Sequence, residues 1–259
     1  MGSVIIKVSI LASGSKGNCT YISTDSHKLL IDIGTSCLYV EKKLKTLDIN
    51  PTEIKSIFIT HTHSDHINGL KIFCKKYNPT VYLTKTMHNE IATKFKIDNY
   101  VYIDHGLEID NLLITPIKTS HDSGESNGYI FESNEKNVVY ITDTGYINKK
   151  YHNQLKNKNI YIMESNHDVE MLMKTSRPHH LKIRIIGDEG HLSNKEASHY
   201  LSEFIGPKTK HIVLAHLSEE ANNPTIAKQT LIDILDEKNK KVESIIIAGQ
   251  KERTELIEI

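Results

Sequence analysis

The chain has 259 residues, a length that one large α/β or β-rich domain can accommodate, so length alone does not require two domains. Its 32 Lys and Arg residues balance 32 Asp and Glu residues, which excludes a strong overall basic charge of the kind that draws proteins to nucleic acids or anionic membranes. No apolar run approaches the ~18 residues of a membrane span and no basic-then-apolar leader opens the chain, so we expect a cytoplasmic protein with no membrane partner.

Apolar segments rich in β-branched residues recur along the chain and predict about ten strands. In chain order these are residues 4–11, 28–33, 57–60, 81–83, 112–115, 129–132, 138–142, 160–163, 212–215 and 244–248. Amphipathic spacing predicts helices between several of them. A capping box beginning at Ser193 predicts a helix through Phe204, and an N-cap at Asn223 predicts one through Leu235. We therefore predict a single α/β domain over residues 1–259, with two sheets packed face to face and helices on the outer faces.

The three cysteines, Cys19, Cys37 and Cys74, are odd in number and show no C-x-x-C spacing. This pattern argues against a disulfide framework and against a structural zinc bound by cysteines. We expect all three to be reduced thiols.

A histidine-rich motif, HTHSDH, directly follows the predicted strand that ends at Thr60. A loop leaving a strand can aim several side chains toward one point, and imidazole nitrogens and carboxylate oxygens bind divalent transition metals. The alternative is a solvated polar turn in a chain that has 15 histidines. The H-x-H-x-D-H spacing of His61, His63, Asp65 and His66 favours metal binding, although six residues cannot complete two metal sites.

One residue before this motif and three after it occur in an order that resembles the metallo-β-lactamase-fold hydrolase superfamily. They are Asp32 in LLIDIGTS, His121 in IKTSHDSG, Asp143 in VVYITDTGY and His216 in IVLAHLSEE. His121, Asp143 and His216 could each equally be a solvated residue at a strand end, and it is the joint order of the residues that resembles the family. The resemblance implies a four-layer αββα sandwich.

The resemblance also implies a role for each of these residues. Two divalent metal ions are expected, with zinc or manganese as the main options and iron as a further one. One ion would be held by His61, His63 and His121, and the other by Asp65, His66 and His216. Asp143 would bridge them, and Asp32 would orient the motif, with a turn cap as its alternative role.

Longer stretches are similar to the bacterial YycJ/WalJ-type branch, which is related to RNase Z, RNase J and small phosphodiesterases. These stretches are LASGSKGNCTYI, MESNHDVEML, HLKIRIIGDEGHLSN and AHLSEEANNP. By this resemblance His191 would donate a proton to the leaving group, and Glu164 would orient it. The chain has ESN and HLS where RNase Z relatives have EAT and HST, and His191 could instead support the Ser193 cap.

Several other polar residues are candidates for substrate contact. Ser15 and Asn18 lie in a glycine-containing loop that either cradles an anion or simply joins two strands. His167 and Asp168 either line a phosphate site or cap a helix, and Asn194 is a further candidate. The basic residues of segment 177–184 could form a rim for a phosphate backbone, although a solvated face is the favoured interpretation.

Taken together, the resemblance implies a dinuclear metal-dependent phosphodiesterase that attacks with a hydroxide shared between the two metals, Asp65 helping to position it. DNA is the expected partner, with exonuclease action and a 5′-to-3′ direction as an option. One alternative is a small-molecule hydrolase for a cyclic or short phosphodiester or a thioester. Another is a non-catalytic regulatory protein on the same fold. The oligomeric state is left open.

Overall fold

Two seven-stranded sheets form the centre of the protein in the computed structural model, which describes residues 5–259. The strands are β1 (Lys7–Ala12), β2 (Cys19–Ser23), β3 (Lys28–Ile31), β4 (Ser56–Phe58), β5 (Thr80–Leu83), β6 (Tyr100–Tyr102), β7 (Leu107–Ile109), β8 (Leu112–Lys118), β9 (Asn127–Ser133), β10 (Lys136–Ile141), β11 (Ile160–Glu164), β12 (His211–Ala215), β13 (Ser244–Ile247) and β14 (Ile257–Glu258). All ten predicted strands are present. The first residue of the first prediction, Val4, lies outside the described residues.

The α-helices of the described residues are mostly short. They are α1 (Cys37–Lys45), α2 (Ser64–Ile67), α3 (Leu70–Tyr77), α4 (Lys85–Ala92), α5 (His152–Leu155), α6 (Val169–Lys174), α7 (His179–Ile186), α8 (Asn194–Phe204) and α9 (Pro224–Glu237). The capping box at Ser193 is formed, with both of its hydrogen bonds to Glu196, and Asn223 caps α9. In the part of the chain that the structure describes, no helix combines the length and the apolar character that a membrane crossing would need.

The two sheets have matching topologies. The N-terminal sheet has the order β14-β1-β2-β3-β4-β5-β6, and the C-terminal sheet has the order β13-β12-β11-β10-β9-β8-β7. Strands β3 to β6 run parallel, as do β10 to β13, and the remaining pairs are antiparallel. Because parallel strands end at the same edge of a sheet, the loops after β3 and β4 and those after β10, β11 and β12 lie at the carboxyl edges of the two sheets.

Three apolar layers hold the four-layer arrangement together. The inner faces of the two sheets pack on each other, and Phe58 of the N-terminal sheet contacts Tyr129 and Phe131 of the C-terminal sheet at 5.6 Å between ring centroids. The outer face of the N-terminal sheet packs on α1, α3 and α4. The outer face of the C-terminal sheet packs on α8 and α9. The predicted αββα sandwich is confirmed, and Cys19 and Cys37 are buried free thiols within it.

Candidate active site

The HTHSDH motif leaves the N-terminal sheet after β4 and turns directly into α2. His61 lies in the exit loop, His63 is the N-cap of α2, and Asp65 and His66 lie in its first turn. His61 and His66 are buried, whereas His63 and Asp65 are partly exposed. This loop followed by one helical turn gathers the four side chains in a way that the alternating side chains of a strand could not.

The first predicted ligand group is assembled from both sheets. His61 Nε2 lies 3.1 Å from His63 Nδ1, and His121 Nε2 lies 3.3 Å from the same atom. One ligand atom from each of the three lies within 4.8 Å of the others. Burial and the neighbouring imidazoles lower the pKa of His61 well below its usual value, and burial lowers that of His121. Both rings therefore favour the neutral form that binds metals.

The second predicted group is also assembled, and Asp143 lies between the two. Ligand atoms of Asp65, His66 and His216 lie within 4.8 Å of one another. Asp143 Oδ2 is 3.4 Å from His66 Nε2, and Asp143 Oδ1 is 3.5 Å from His216 Nε2 and 4.0 Å from His121 Nε2. This is the position that a carboxylate shared by both groups would need.

The donor atoms of this cluster fit divalent metal ions. Asp143 Oδ2 and His216 Nε2 are buried and have no hydrogen-bond partner within the described chain, a costly state that a cation would relieve. Burial alone would lower the pKa of His66, but Asp143 and Asp32 raise it to about 9. The pKa of His216 is likewise raised, chiefly by Asp143, against the effect of burial. The site therefore favours positive charge, and its mixed nitrogen and oxygen donors suit zinc, manganese or iron.

Asp32 fixes the histidine loop from behind. Its Oδ1 accepts a hydrogen bond from Thr60 N at 2.8 Å, and its Oδ2 accepts from Thr60 Oγ1 at 2.7 Å and from His66 Nδ1 at 2.8 Å. The carboxylate is fully buried, which raises its pKa despite these donors. A histidine that donates through Nδ1 keeps Nε2 for a metal, so Asp32 sets both the ring orientation and the ligand atom of His66.

Glu164 has the corresponding place in the C-terminal sheet. Its Oε1 accepts from His191 Nδ1 at 2.6 Å and from His216 Nδ1 at 3.0 Å, and its Oε2 accepts from the backbone of Thr144 and Leu192. Burial would raise the pKa of Glu164, but His191 and His216 together lower it. The carboxylates of Glu164 and Asp143 raise the pKa of His191 against the effect of burial, so the protonated form of His191 is favoured. The predicted Glu164–His191 pair is present, and the bond to His216 is an addition that the sequence analysis missed.

Three site residues adopt a left-handed backbone at or just after a strand end. Asp32 follows β3 with φ 58°, Asp143 follows β10 with φ 54°, and His216 follows β12 with φ 54°. Such angles are uncommon for residues other than glycine, and they give these residues a backbone conformation that differs from that of the preceding strand. His216 N donates to Ser13 Oγ at 2.7 Å, which supports this conformation.

The candidate substrate residues fall in different places. Ser15 lines the cavity beside the cluster, whereas Asn18 is buried, with Nδ2 3.0 Å from His66 Nε2. His167 is fully buried, with neither ring nitrogen hydrogen-bonded within the described chain. Asp168 caps α6 through Met171 N, as its alternative role required. Asn194 is buried, where it accepts from Ser165 Oγ at 2.6 Å and bonds with Asn222.

Sequence reasoning missed three residues that support the cluster. Thr60 links Asp32 to the motif, and its position directly before the first histidine is the one signal that could have found it. Ser13 and Asn166 hold the backbone of His216, the latter through Nδ2 to the His216 carbonyl at 3.0 Å. Neither stands near His216 in the sequence, so no local pattern could show the contact.

A cavity of about 330 Å³ opens over the cluster. Its lining includes residues of the two ligand groups, Asp143 and His191, together with residues of α7 and the residue just before the N-cap of α7. A volume of this size lies at the lower end of the range for small-ligand sites. The arrangement can therefore hold metal ions, a proton donor and a small anionic group together.

The chain matches the sequence profile of the beta-lactamase superfamily domain over residues 27–217, a range that includes every residue of the two ligand groups. It is 36% identical over 235 residues to the exodeoxyribonuclease YycJ of Bacillus anthracis, covering 89% of each chain. It is 35% identical over 242 residues to the exodeoxyribonuclease WalJ of Streptococcus pneumoniae, covering 91% of this chain and 90% of the relative. Among solved structures, the metallo-beta-lactamase fold protein YhfI from Bacillus subtilis has a similar fold, with a TM-score of 0.76, 16% identity, and coverage of 99% of this chain and 100% of the other.

Proposed function

The chain belongs to the β-lactamase superfamily and is a hydrolase of the metallo-β-lactamase fold, and we propose that it is a metal-dependent phosphodiesterase that acts as a DNA exonuclease. The observation that carries this proposal is the convergence of seven ligand residues and a His191–Glu164 pair in one cluster. Five of the seven, together with His191, line the cavity. The identity to two exodeoxyribonucleases supports DNA as the substrate.

Two divalent metal ions, zinc or manganese with iron as an option, would be held by the residues already grouped by their distances. His61, His63 and His121 would bind one, and Asp65, His66 and His216 would bind the other. Asp143 would contribute to both, since its Oδ2 lies near His66 of the second group and its Oδ1 lies near both His216 and His121. When bound, such ions supply positive charge to the phosphate and make water a nucleophile at neutral pH.

His191 is the residue that protonates the departing oxygen. Its Nδ1 donates to Glu164 at 2.6 Å, which leaves Nε2 as the nitrogen that holds the transferable proton. Glu164 favours the protonated ring and fixes its plane, and both actions matter because a sugar alkoxide is a poor leaving group. Asp65, which is partly exposed and lines the cavity, would orient the nucleophile.

A small phosphodiester or a thioester is the second candidate substrate. The small cavity and the balanced charge of the chain favour it, because neither feature provides a long basic track for a polymer. A 5′-to-3′ direction on DNA is the more specific form of the main proposal.

Metal analysis coupled to turnover tests the proposal. We expect about two metal ions per chain and loss of phosphodiester cleavage on chelation, with recovery when zinc or manganese is restored. His63→Ala should lower the metal content and abolish turnover, whereas His105→Ala, the same change at an exposed histidine, should do neither. DNA labelled and blocked at each end in turn, bis-p-nitrophenyl phosphate and a thioester should be compared. Unchanged turnover after complete demetallation, or rapid thioester cleavage with inert DNA, would contradict the proposal.

A further inference from the structure

The cavity that the ligand cluster lines is also lined by Arg177, Leu181, Arg184 and Ile185, which we call the α7 wall. Leu181, Arg184 and Ile185 have i, i+3 and i+4 spacing, so they share one face of α7. Arg177 stands just before the N-cap of that helix. Two arginines and two apolar side chains therefore face the same space as the metal-binding residues.

Carboxylates hold the two arginines in place but do not occupy all of their hydrogen-bond donors. Arg177 Nε donates to Glu220 at 2.9 Å, and within the described chain its two terminal nitrogens have no acceptor. Arg184 is paired with Asp122 through Nε and Nη2, which leaves Nη1 without an acceptor in the described residues. Arg184 remains largely exposed, at 63% of its side-chain surface. Each guanidinium is thus positioned and retains donors for an anion.

The neighbouring cations do not share this role. Lys182 is buried, and its Nζ donates at 2.7 Å to the carbonyls of Met173 and Thr175 at the end of α6. His180 is exposed and does not line the cavity. The basic character of segment 177–184 is therefore concentrated at the cavity in its two arginines.

The α7 wall is rigidly connected to the proton donor. His191 N donates to the carbonyl of Ile185 at 2.8 Å, directly at the end of α7. Gly190 makes this approach possible, since a Cβ there would lie 2.2 Å from the Ile185 carbonyl oxygen and 2.3 Å from that of Arg184. A group bound on the α7 wall is consequently held at a fixed place relative to His191.

We propose that the α7 wall binds the nucleotide next to the scissile bond, with Arg177 and Arg184 contacting a phosphate other than the one cleaved and Leu181 and Ile185 packing on the sugar or base. This inference rests on the proposed phosphodiesterase function and specifies its substrate as a chain with at least two phosphates. Apolar side chains beside two cations match a nucleoside that carries a second phosphate, whereas a lone diester would use only the ligand cluster.

Thymidine oligonucleotides that differ by one phosphate test this proposal. We expect kcat/KM for pTpT or TpTp to exceed that for TpT by about 10-fold, mainly through KM, and the better of the two identifies the side that meets the wall. Arg177→Gln and Arg184→Gln should each reduce this ratio toward one, and Arg177→Lys should restore part of it. Lys96→Gln, which removes an exposed cation that is also paired with a carboxylate, should leave the ratio as in the parent.

The ratio separates this inference from the proposed function. Cleavage of TpT and of both phosphorylated substrates at equal rates would overturn the proposed binding role of the α7 wall. The proposed phosphodiesterase function would still stand. If no diester is cleaved, binding decides: the metal-loaded protein should bind pTpT with an uncleavable methylphosphonate linkage about 10-fold more tightly than the same analogue without the terminal phosphate. The proposed role of the α7 wall would be overturned if the 5′- and the 3′-phosphorylated analogues both bound no more tightly than the analogue without a terminal phosphate. A preference for a phosphorylated analogue that the arginine variants leave unchanged would also overturn it. Melting temperature and metal content of each variant must match the parent.

Discussion

The N-terminal and C-terminal sheets each contribute half of the ligand cluster, but they build their halves differently. The N-terminal half comes from one continuous segment, HTHSDH, fixed by the single carboxylate of Asp32. The C-terminal half comes from separate positions at the ends of β8, β10 and β12, with His216 held by the carboxylate of Glu164 at the end of β11. The first half depends on local sequence and the second on the register of parallel strands.

This difference assigns different tasks to the two buried carboxylates. Asp32 orients one histidine and the backbone before the motif, so its effect is confined to the binding of metal. Glu164 accepts from both His216 and His191, so it connects a metal-binding residue to the proton donor. Four variants can break or sharpen this comparison.

Glu164→Gln should have the largest effect, because it alters both histidines. We expect kcat to fall about 100-fold or more for a dinucleotide, whose alkoxide leaving group needs a proton. The loss should be much smaller for bis-p-nitrophenyl phosphate, whose leaving group departs without one. Steady-state kinetics on both substrates at saturating metal measure this difference. Equal losses on the two would show that Glu164 acts only through the structure of the site.

Asp32→Asn should weaken metal binding about 10–100-fold, as is typical when a carboxylate behind a metal-binding histidine is replaced. Unlike the Glu164 variant, it should regain most of its kcat when metal is raised to saturation. Competition with a chromogenic chelator measures the affinity. An unchanged affinity would show that Thr60 and the loop backbone hold His66 without the carboxylate's charge.

Gly34→Ala should strain the N-terminal half through its backbone. A Cβ at Gly34 would lie 1.6 Å from the Asp65 carbonyl oxygen, so the DIGTS loop and α2 would have to separate. We expect a loss of about 1–3 kcal/mol in the free energy of unfolding, which corresponds to roughly 2–10 °C in Tm. Gly106→Ala is the matched control, since a Cβ there meets only ordinary contacts from 3.4 Å. Equal melting temperatures for the two variants would contradict this reading.

Glu41→Gln should have the smallest effect and tests a carboxylate outside the cluster. Glu41 accepts from Lys76, Cys37 and Tyr77, and these hydrogen bonds lower its pKa from 4.5 to about 2. Because the pKa is lower in the folded protein, the ionised group stabilises it above about pH 4.5, and this contribution is lost as the pH falls toward 2. The variant should be less stable by about 1 kcal/mol at pH 7. Denaturation curves at several pH values should converge with those of the parent in acid, and a constant difference would contradict the linkage.

The local features of the fold could be predicted, and the non-local ones could not. Ten strands were visible as apolar segments, whereas β2, β6, β7 and β14 were not predicted. The exposed β6 and the half-exposed β7 have no buried face to show in the sequence, and β14 has only two residues. The buried β2 directly follows the glycine-containing loop and was missed with it. The HTHSDH motif and the order of the lone ligands indicated which residues meet. The bond from His216 to Glu164 and the alignment of Arg177 with the cavity arise from strand register and helix placement, which no short segment encodes.

The left-handed residues at the strand ends limit how this site could be transferred to another protein. Asp32, Asp143 and His216 all adopt a left-handed backbone, which regular strand residues do not. A designer who grafts the same side chains onto regular strands of a different sheet would aim them along the wrong directions. Reproducing the cluster requires copying the backbone of these three left-handed residues first, together with the Ser13 contact that supports His216.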